Sequence, residues 1–208
     1  MTSKFPLPSQ SDKAVIIGHS GSGKTTLMSY IVNQLPYKPL YVIDTTNQMS
    51  YVPSYNYLGK TECKVKRKEK YCLKLHTSAQ LEFFISKLNH DKKQFFLAID
   101  EIDRFTNPHY LFPETKLWLE EGRNFNRGGL FTVRRVGFLN KSILGNSHWL
   151  YLFKTNNRID KQYLSAILDY DISELSYSGD YSFFTFDLYK SELIGEYELD
   201  GNRIMKYE

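Results

Sequence analysis

The chain has little cysteine: Cys63 and Cys72 are the only two among 208 residues. A chain of this size does not need a disulfide framework, and two isolated cysteines make a poor metal site, so both are expected as reduced thiols. The five histidines show no ligand spacing, which argues against zinc. No stretch approaches the eighteen apolar residues of a membrane span, and the segment from Met1 to Pro8 holds no apolar run of signal-peptide length. An intracellular protein is expected. There is no internal repeat and no low-complexity tract. With 41% hydrophobic, 15% aromatic and 24% charged residues, the composition is that of a folded chain rather than a disordered one. The length suits a single domain over 1–208.

Basic residues exceed acidic ones by four, yet the balance is uneven. Residues 1–168 hold 24 of the 27 Lys/Arg but only 13 of the 23 Asp/Glu, leaving an acidic segment over 169–208. Such asymmetry suits a body that faces a polyanion, although a solvated surface explains it equally well.

Short apolar runs alternate with helical patterns. Lys13–Gly18, Leu40–Asp44 and Phe95–Ile99 read as buried strands, with further strands at 71–75, 129–133 and 149–153. Helices are expected from Lys24 to Gln34, after a Thr77 cap, over 113–121, around Lys141 and over 159–168. Residues 47–70 read as loop or edge structure, and 181–198 alternate like a terminal β-hairpin. The order predicts an α/β fold, a mainly parallel sheet covered by helices on both faces, with a core over about 13–170 and a C-terminal β extension over 171–208; the Gly-rich string Gly18–Thr25 between the first strand and the first helix makes it a fold of the P-loop NTPase type.

Gly18-His-Ser-Gly-Ser-Gly-Lys-Thr25 matches the phosphate-loop pattern G-x-x-x-x-G-K-S/T between an expected strand and an expected helix. The candidate nucleotide-binding set is Gly18, Ser20, Gly21, Ser22, Gly23, Lys24, Thr25 and Thr26. Glycines let the backbone wrap phosphate, and helix N-terminal amides point at its oxygens. Lys24 is expected to reach the β- and γ-phosphates of ATP, and Thr25 to offer its hydroxyl to Mg²⁺. Asp100 and Glu101 close the strand from Phe95; Asp100 is the second candidate for Mg²⁺, and Glu101 the candidate general base for an attacking water. A transferase that must exclude water does not need that second acid, so the pair favours hydrolysis. Asp103 and Arg104 read as a local ion pair.

Arg123 and Arg127 precede a strand, while Arg134 and Arg135 follow it. The carboxyl ends of strands line the ligand crevice in such sheets, which places Arg134 and Arg135 near the phosphates and sends Arg123 and Arg127 outward at the other end. On these motifs the sequence resembles the FtsK/HerA superfamily of DNA-pumping ATPases, most of all the genome-packaging ATPases of tailless viruses with an internal membrane. The phosphate loop, Asp100-Glu101, Gly122-Arg123 and the late strand Trp149–Phe153 with its polar turn carry the resemblance. The superfamily's Gln eleven residues after the Arg is replaced here by Arg134.

The resemblance implies a homo-oligomeric ring, a hexamer, with ATP between subunits, double-stranded DNA through the channel, and a capsid or membrane-vertex protein as recruiting partner. It also implies the cytoplasm of an infected host, or the virion, as location. Arg123 becomes the first candidate for a finger reaching a neighbour's γ-phosphate, Arg127 the second, and Arg134 a substitute for the sensor Gln. The basic run Lys60–Lys70, flanked by Tyr51, Tyr55, Tyr57 and Tyr71, is a candidate for DNA phosphate contact or simply a solvated face. The rivals are a small-molecule kinase of the nucleotide-kinase type, an export or assembly ATPase of the same superfamily, and a nucleotide-regulated binding protein.

Overall fold

The computed structural model describes residues 5–45, 70–91, 93–200 and 203–207, and the backbone of 55–58. Residues 60–69 of the basic run, with Cys63, lie outside the described residues.

Ten strands form one sheet: β1 (Lys13–Ile17), β2 (Leu40–Ile43), β3 (Tyr55–Leu58), β4 (Lys70–Leu73), β5 (Phe95–Ile99), β6 (Arg127–Val133), β7 (Trp149–Phe153), β8 (Ser182–Asp187), β9 (Glu192–Asp200) and β10 (Arg203–Lys206). Their order across the sheet is β10-β9-β8-β7-β1-β6-β5-β2-β4-β3. From β3 to β7 every pairing is parallel, whereas β8, β9 and β10 add antiparallel strands to the β7 edge. The expected hairpin is therefore a three-stranded continuation of the main sheet.

Five helices accompany it among the described residues: α1 (Lys24–Gln34), α2 (Ser78–His90), α3 (Pro113–Glu121), α4 (Lys141–Gly145) and α5 (Arg158–Leu168). Alternate residues of each central strand enter opposite cores. Val15 and Ile17 join Phe84, Trp118 and Leu164 on one face, while Ala14 and Ile16 join Leu27, Met28 and Ile31 of α1 on the other. Strands buried on both faces need continuous apolar runs, which is why β1, β2 and β5 are so legible in the sequence. The α2 start is a full capping box: Gln80 N–H donates to the Thr77 side chain, and the Gln80 side chain accepts from the Thr77 amide. Pro113 opens α3, where its missing N–H costs no hydrogen bond.

β1 is central. The chain leaves it toward β2 on one side, and β6 leads across it to β7 on the other. The crevice at the carboxyl ends of β1, β5 and β6 is thus the switch point of the sheet, where ligands bind in folds of this type.

Candidate active site

The loop after β1 fits its task because of its glycines. A Cβ on Gly18 would stand 2.6 Å from both Phe153 Cβ and Ser22 Oγ, and Gly23 caps α1 at φ 99°, a left-handed value. No side chain caps α1, so its first amides remain available to an anion. Lys24 is buried and its Nζ donates to the His19 carbonyl at 2.7 Å, curling back over its own loop. Burial lowers its pKa, a shift opposed by the carboxylates of Asp100, Glu101 and Asp103.

Around this loop lies a cavity of about 400 Å³ lined by Ser20, Gly21, Gly23, Lys24, Thr25, Thr26, Asp100, Glu101, Arg134 and Tyr181. Residues far apart in sequence meet here: α1 supplies Lys24 and Thr25, the end of β5 supplies Asp100 and Glu101, and the end of β6 supplies Arg134. Thr25 Oγ1 donates to Asp100 Oδ1 at 3.3 Å. A hydroxyl and a carboxylate oxygen converging on the loop are hard oxygen donors, the set that suits Mg²⁺ shared with phosphates. No cluster of three or more His, Cys, Asp or Glu able to hold a metal occurs among the described residues.

Thr132, which the sequence reading overlooked, ties the acids together. Its fully buried hydroxyl donates to Asp100 Oδ1 at 2.7 Å and accepts the Glu101 amide at 2.7 Å. The signal was available, since Thr132, two residues before Arg134, is the polar exception in the apolar run Leu130–Val133 at the end of β6.

Glu101 has left-handed backbone angles, φ 52° and ψ 57°, an uncommon state for a residue with a Cβ. Its carboxylate is mostly shielded, with Oε1 3.2 Å from Arg134 Nε and Oε2 paired with Arg104 Nε. Burial raises its pKa, against the pull of Arg134 and Arg104. Arg104 therefore pairs with Glu101, correcting the expectation of an Asp103–Arg104 pair. The turn Ile102–Arg104 brings Arg104 back over Glu101 at i,i+3 spacing, while Asp103 lies 3.9 Å from Arg134. A second cavity of about 580 Å³ adjoins the first through Ser20 and Arg134, and includes His19, Asp103, Arg135, Phe138 and Asn157 in its lining.

Tyr181 also escaped the sequence reading, which placed it only at the start of the terminal hairpin. It precedes β8, is 51% exposed, and comes near Gly23 at the mouth of the nucleotide cavity.

The two arginines before β6 part company. Arg127 does not face outward: it is the first residue of β6, 5% exposed, and donates to Lys93 O, Asn89 Oδ1 and Asn89 O. Its guanidinium joins α2 to the end of the sheet and has no reach left for a neighbour. Arg123 is exposed in the turn Gly122–Phe125, with its guanidinium 5.0 Å above the Tyr189 ring. Tyr189 in turn lies flat against His148 at 4.4 Å, and His148 against Trp149 at 4.5 Å. Asp12 and Asp187 each stand 3.3 Å from one nitrogen of His148. Nearby Lys13 is pushed down to about 8 by burial, and also by the Arg123 charge, against the pull of Asp12. Lys13 begins β1 and the phosphate loop ends it, so Arg123 is separated from its own phosphate site by roughly 16 Å of strand.

No helix among the described residues is long and apolar enough to cross a membrane. Comparison with curated sequences gives no match. Solved structures share the fold. Genome packaging NTPase B204 from Sulfolobus turreted icosahedral virus 2, in complex with ATP-gammaS, has a TM-score of 0.74 at 17% identity, covering 88% of this chain and 96% of that one. B204 from Sulfolobus Turreted Icosahedral Virus, described as a DNA-packaging ATPase, gives 0.71 at 18% identity, with 90% and 97% coverage. EssC (ATPases 2 and 3) from Geobacillus thermodenitrificans gives 0.62 at 11% identity, with 85% of this chain and 38% of that one covered. The sequence itself matches the family model described as AAA domain over residues 10–136, more than half its length, and the chain therefore belongs to the AAA domain family of P-loop ATPases.

Proposed function

We propose that the protein is an ATP-hydrolysing translocase for double-stranded DNA, working as a ring in viral genome packaging. The observation that carries the hydrolytic part is the convergence of Lys24, Thr25, Asp100, Glu101 and Arg134 on one cavity at the sheet's switch point. The fold shared with packaging NTPases and the basic surplus of residues 1–168 support DNA as the polymer moved.

In this reading Lys24 leaves the His19 carbonyl for the β- and γ-phosphate oxygens, and the open amides of α1 cradle the β-phosphate. Thr25 and Asp100 hold Mg²⁺, which when bound offsets phosphate charge. Glu101 takes a proton from water as the water oxygen bonds to the γ-phosphorus and the bond to the β,γ-bridging oxygen breaks, leaving ADP and phosphate. Arg134 stands in the superfamily's sensor position and contacts the γ-phosphate. Arg123 serves a neighbouring subunit's site, since it lies at the far end of the strand from its own. The ring is a hexamer, recruited by a capsid or membrane-vertex protein, in the infected cytoplasm or virion.

The test is steady-state ATP hydrolysis with and without long double-stranded DNA at two salt concentrations. Stimulation by DNA that fades as salt rises is the expected result, because contacts to phosphates release counterions. ATP binding with no hydrolysis under any condition, or phosphorylation of an added nucleoside or nucleotide, overturns it.

A further inference from the structure

Both oxygens of the candidate base are occupied by arginines that differ in kind. Arg104 belongs to the same turn as Glu101: its amide donates to the Glu101 carbonyl at 3.0 Å, and its guanidinium returns to Oε2. It lines neither cavity, so phosphate does not compete for it. Arg134 comes from β6, borders both cavities, is 41% exposed in its side chain, and divides itself between Glu101 Oε1 and Asp103 Oδ2. It is the partner that an incoming phosphate can draw away.

Resting on the ATPase reading above, we propose that Arg104 is the positioning residue of the general base. It retains Glu101 Oε2 through the cycle, while Arg134 exchanges Glu101 Oε1 for the γ-phosphate. The left-handed backbone at Glu101 fixes where the side chain begins but not how its carboxylate is turned. Among the described residues Arg104 and Arg134 are the two ion-pair partners of that carboxylate, so without Arg104 the departure of Arg134 would leave it free to rotate away from the water. Thr132 fixes the Glu101 amide but does not touch its carboxylate, so the orientation of the two oxygens falls to the arginines. With Oε1 released and Oε2 held, one oxygen is open to accept a proton and the other sets its direction. Misplacement of a reacting group by about an ångström costs on the order of 10²-fold in rate, which sets the scale of the effect.

The experiment compares Arg104→Ala and Arg104→Lys in the full chain, with ATP turnover and ATPγS affinity measured together. Arg104→Ala is expected to lower kcat by on the order of 10²-fold, with KM and ATPγS affinity held within about twofold, and Arg104→Lys to restore part of the loss. In single-turnover assays, Arg104→Ala placed on Glu101→Gln is expected to add no further loss, because the arginine acts through the carboxylate. Arg134→Ala is expected instead to erase the preference for ATP over ADP. Full turnover by Arg104→Ala, an equal additional loss on Glu101→Gln, or no rescue by Lys in a variant that melts like the parent, each overturns the assignment. If the parent chain itself does not hydrolyse ATP, the proposed function fails and this inference with it; parent turnover matched by Arg104→Ala defeats the inference alone.

Discussion

Thr132 Oγ1 donates to Asp100 Oδ1 at 2.7 Å while accepting the Glu101 amide, so a single buried hydroxyl fixes the two acids relative to each other. Asp100 Oδ1 also accepts from Thr25, which brings the α1 hydroxyl into the same cluster. Thr132→Val keeps the shape and removes the hydroxyl, leaving the Glu101 amide without its acceptor and Asp100 with one donor fewer. The expected cost is about 1–3 kcal/mol of stability, read from urea unfolding, with Thr132→Ser losing much less. In ATPase assays Thr132→Val should need more Mg²⁺ for half-maximal rate than the parent. An unchanged unfolding midpoint and Mg²⁺ requirement would remove Thr132 from this role.

Tyr181 brings the C-terminal extension to the mouth of the nucleotide cavity. Its half-exposed ring at the mouth of the nucleotide cavity offers a flat apolar face to a base, and any base has a face to stack. Tyr181→Ala is expected to raise KM for ATP by roughly 5-fold, the equivalent of about 1 kcal/mol of stacking, with kcat little changed and Tyr181→Phe close to the parent. A fall in kcat at constant KM would assign the residue elsewhere.

The parts of this site that were legible in the sequence are those whose chemistry is local. Gly18 to Thr25 must be contiguous to wrap phosphate, and Asp100-Glu101 had to follow an apolar strand, so both were visible as strings. The partners of Glu101 were not. Arg104 reaches back along a turn whose geometry depends on one left-handed residue, and Arg134 arrives from a strand paired beside β5. Arg127 misled for a related reason. Beginning β6 at Gly129 left it in a loop, whereas Phe95 pairs with it and Asn89 takes its charge inward. Such a buried cation is recognisable only once α2 is placed over the end of the sheet. The antiparallel extension was seen as a hairpin because alternation reports pairing between neighbours and is silent on which edge receives them.

At the opposite end of the sheet, two carboxylates give the fold an acid sensitivity. Burial pushes Asp12 up, but hydrogen bonds from Ser9 and the contact with His148 outweigh it, and its pKa is lowered overall. In Asp187 the same burial is outweighed by the Lys190 amide, His148 and the Tyr189 amide. A carboxylate with a folded pKa below its unfolded value of about 3.9 stabilises fully above that value and loses its contribution as pH falls through the folded one. Melting temperature should therefore drop as pH is taken below about 4, and Asp187→Asn should flatten that drop while lowering stability at neutral pH. A variant with the parent's pH dependence would show that Asp187 does not contribute.

Arg123 stands at the end of a stack that runs Trp149, His148, Tyr189, Arg123, held at its middle by Asp12 and Asp187. The stack orients an exposed guanidinium that would otherwise sample many rotamers, and an exposed cation–π contact contributes about 0.5–1 kcal/mol to that orientation. If Arg123 acts on a neighbour's γ-phosphate, Arg123→Ala should remove on the order of 10³-fold or more of the ring's turnover, as loss of an arginine finger does. Mixing the variant with parent subunits should then depress activity below the line set by dilution, because each variant subunit disables a site it does not itself contain. Tyr189→Leu should give a milder form of the same loss, with ATP affinity intact, since it leaves the guanidinium present but unsupported. Activity that scales linearly with the parent fraction would place Arg123 outside the neighbour's site, and the stack would then be a structural clasp between β7 and the β8–β9 turn.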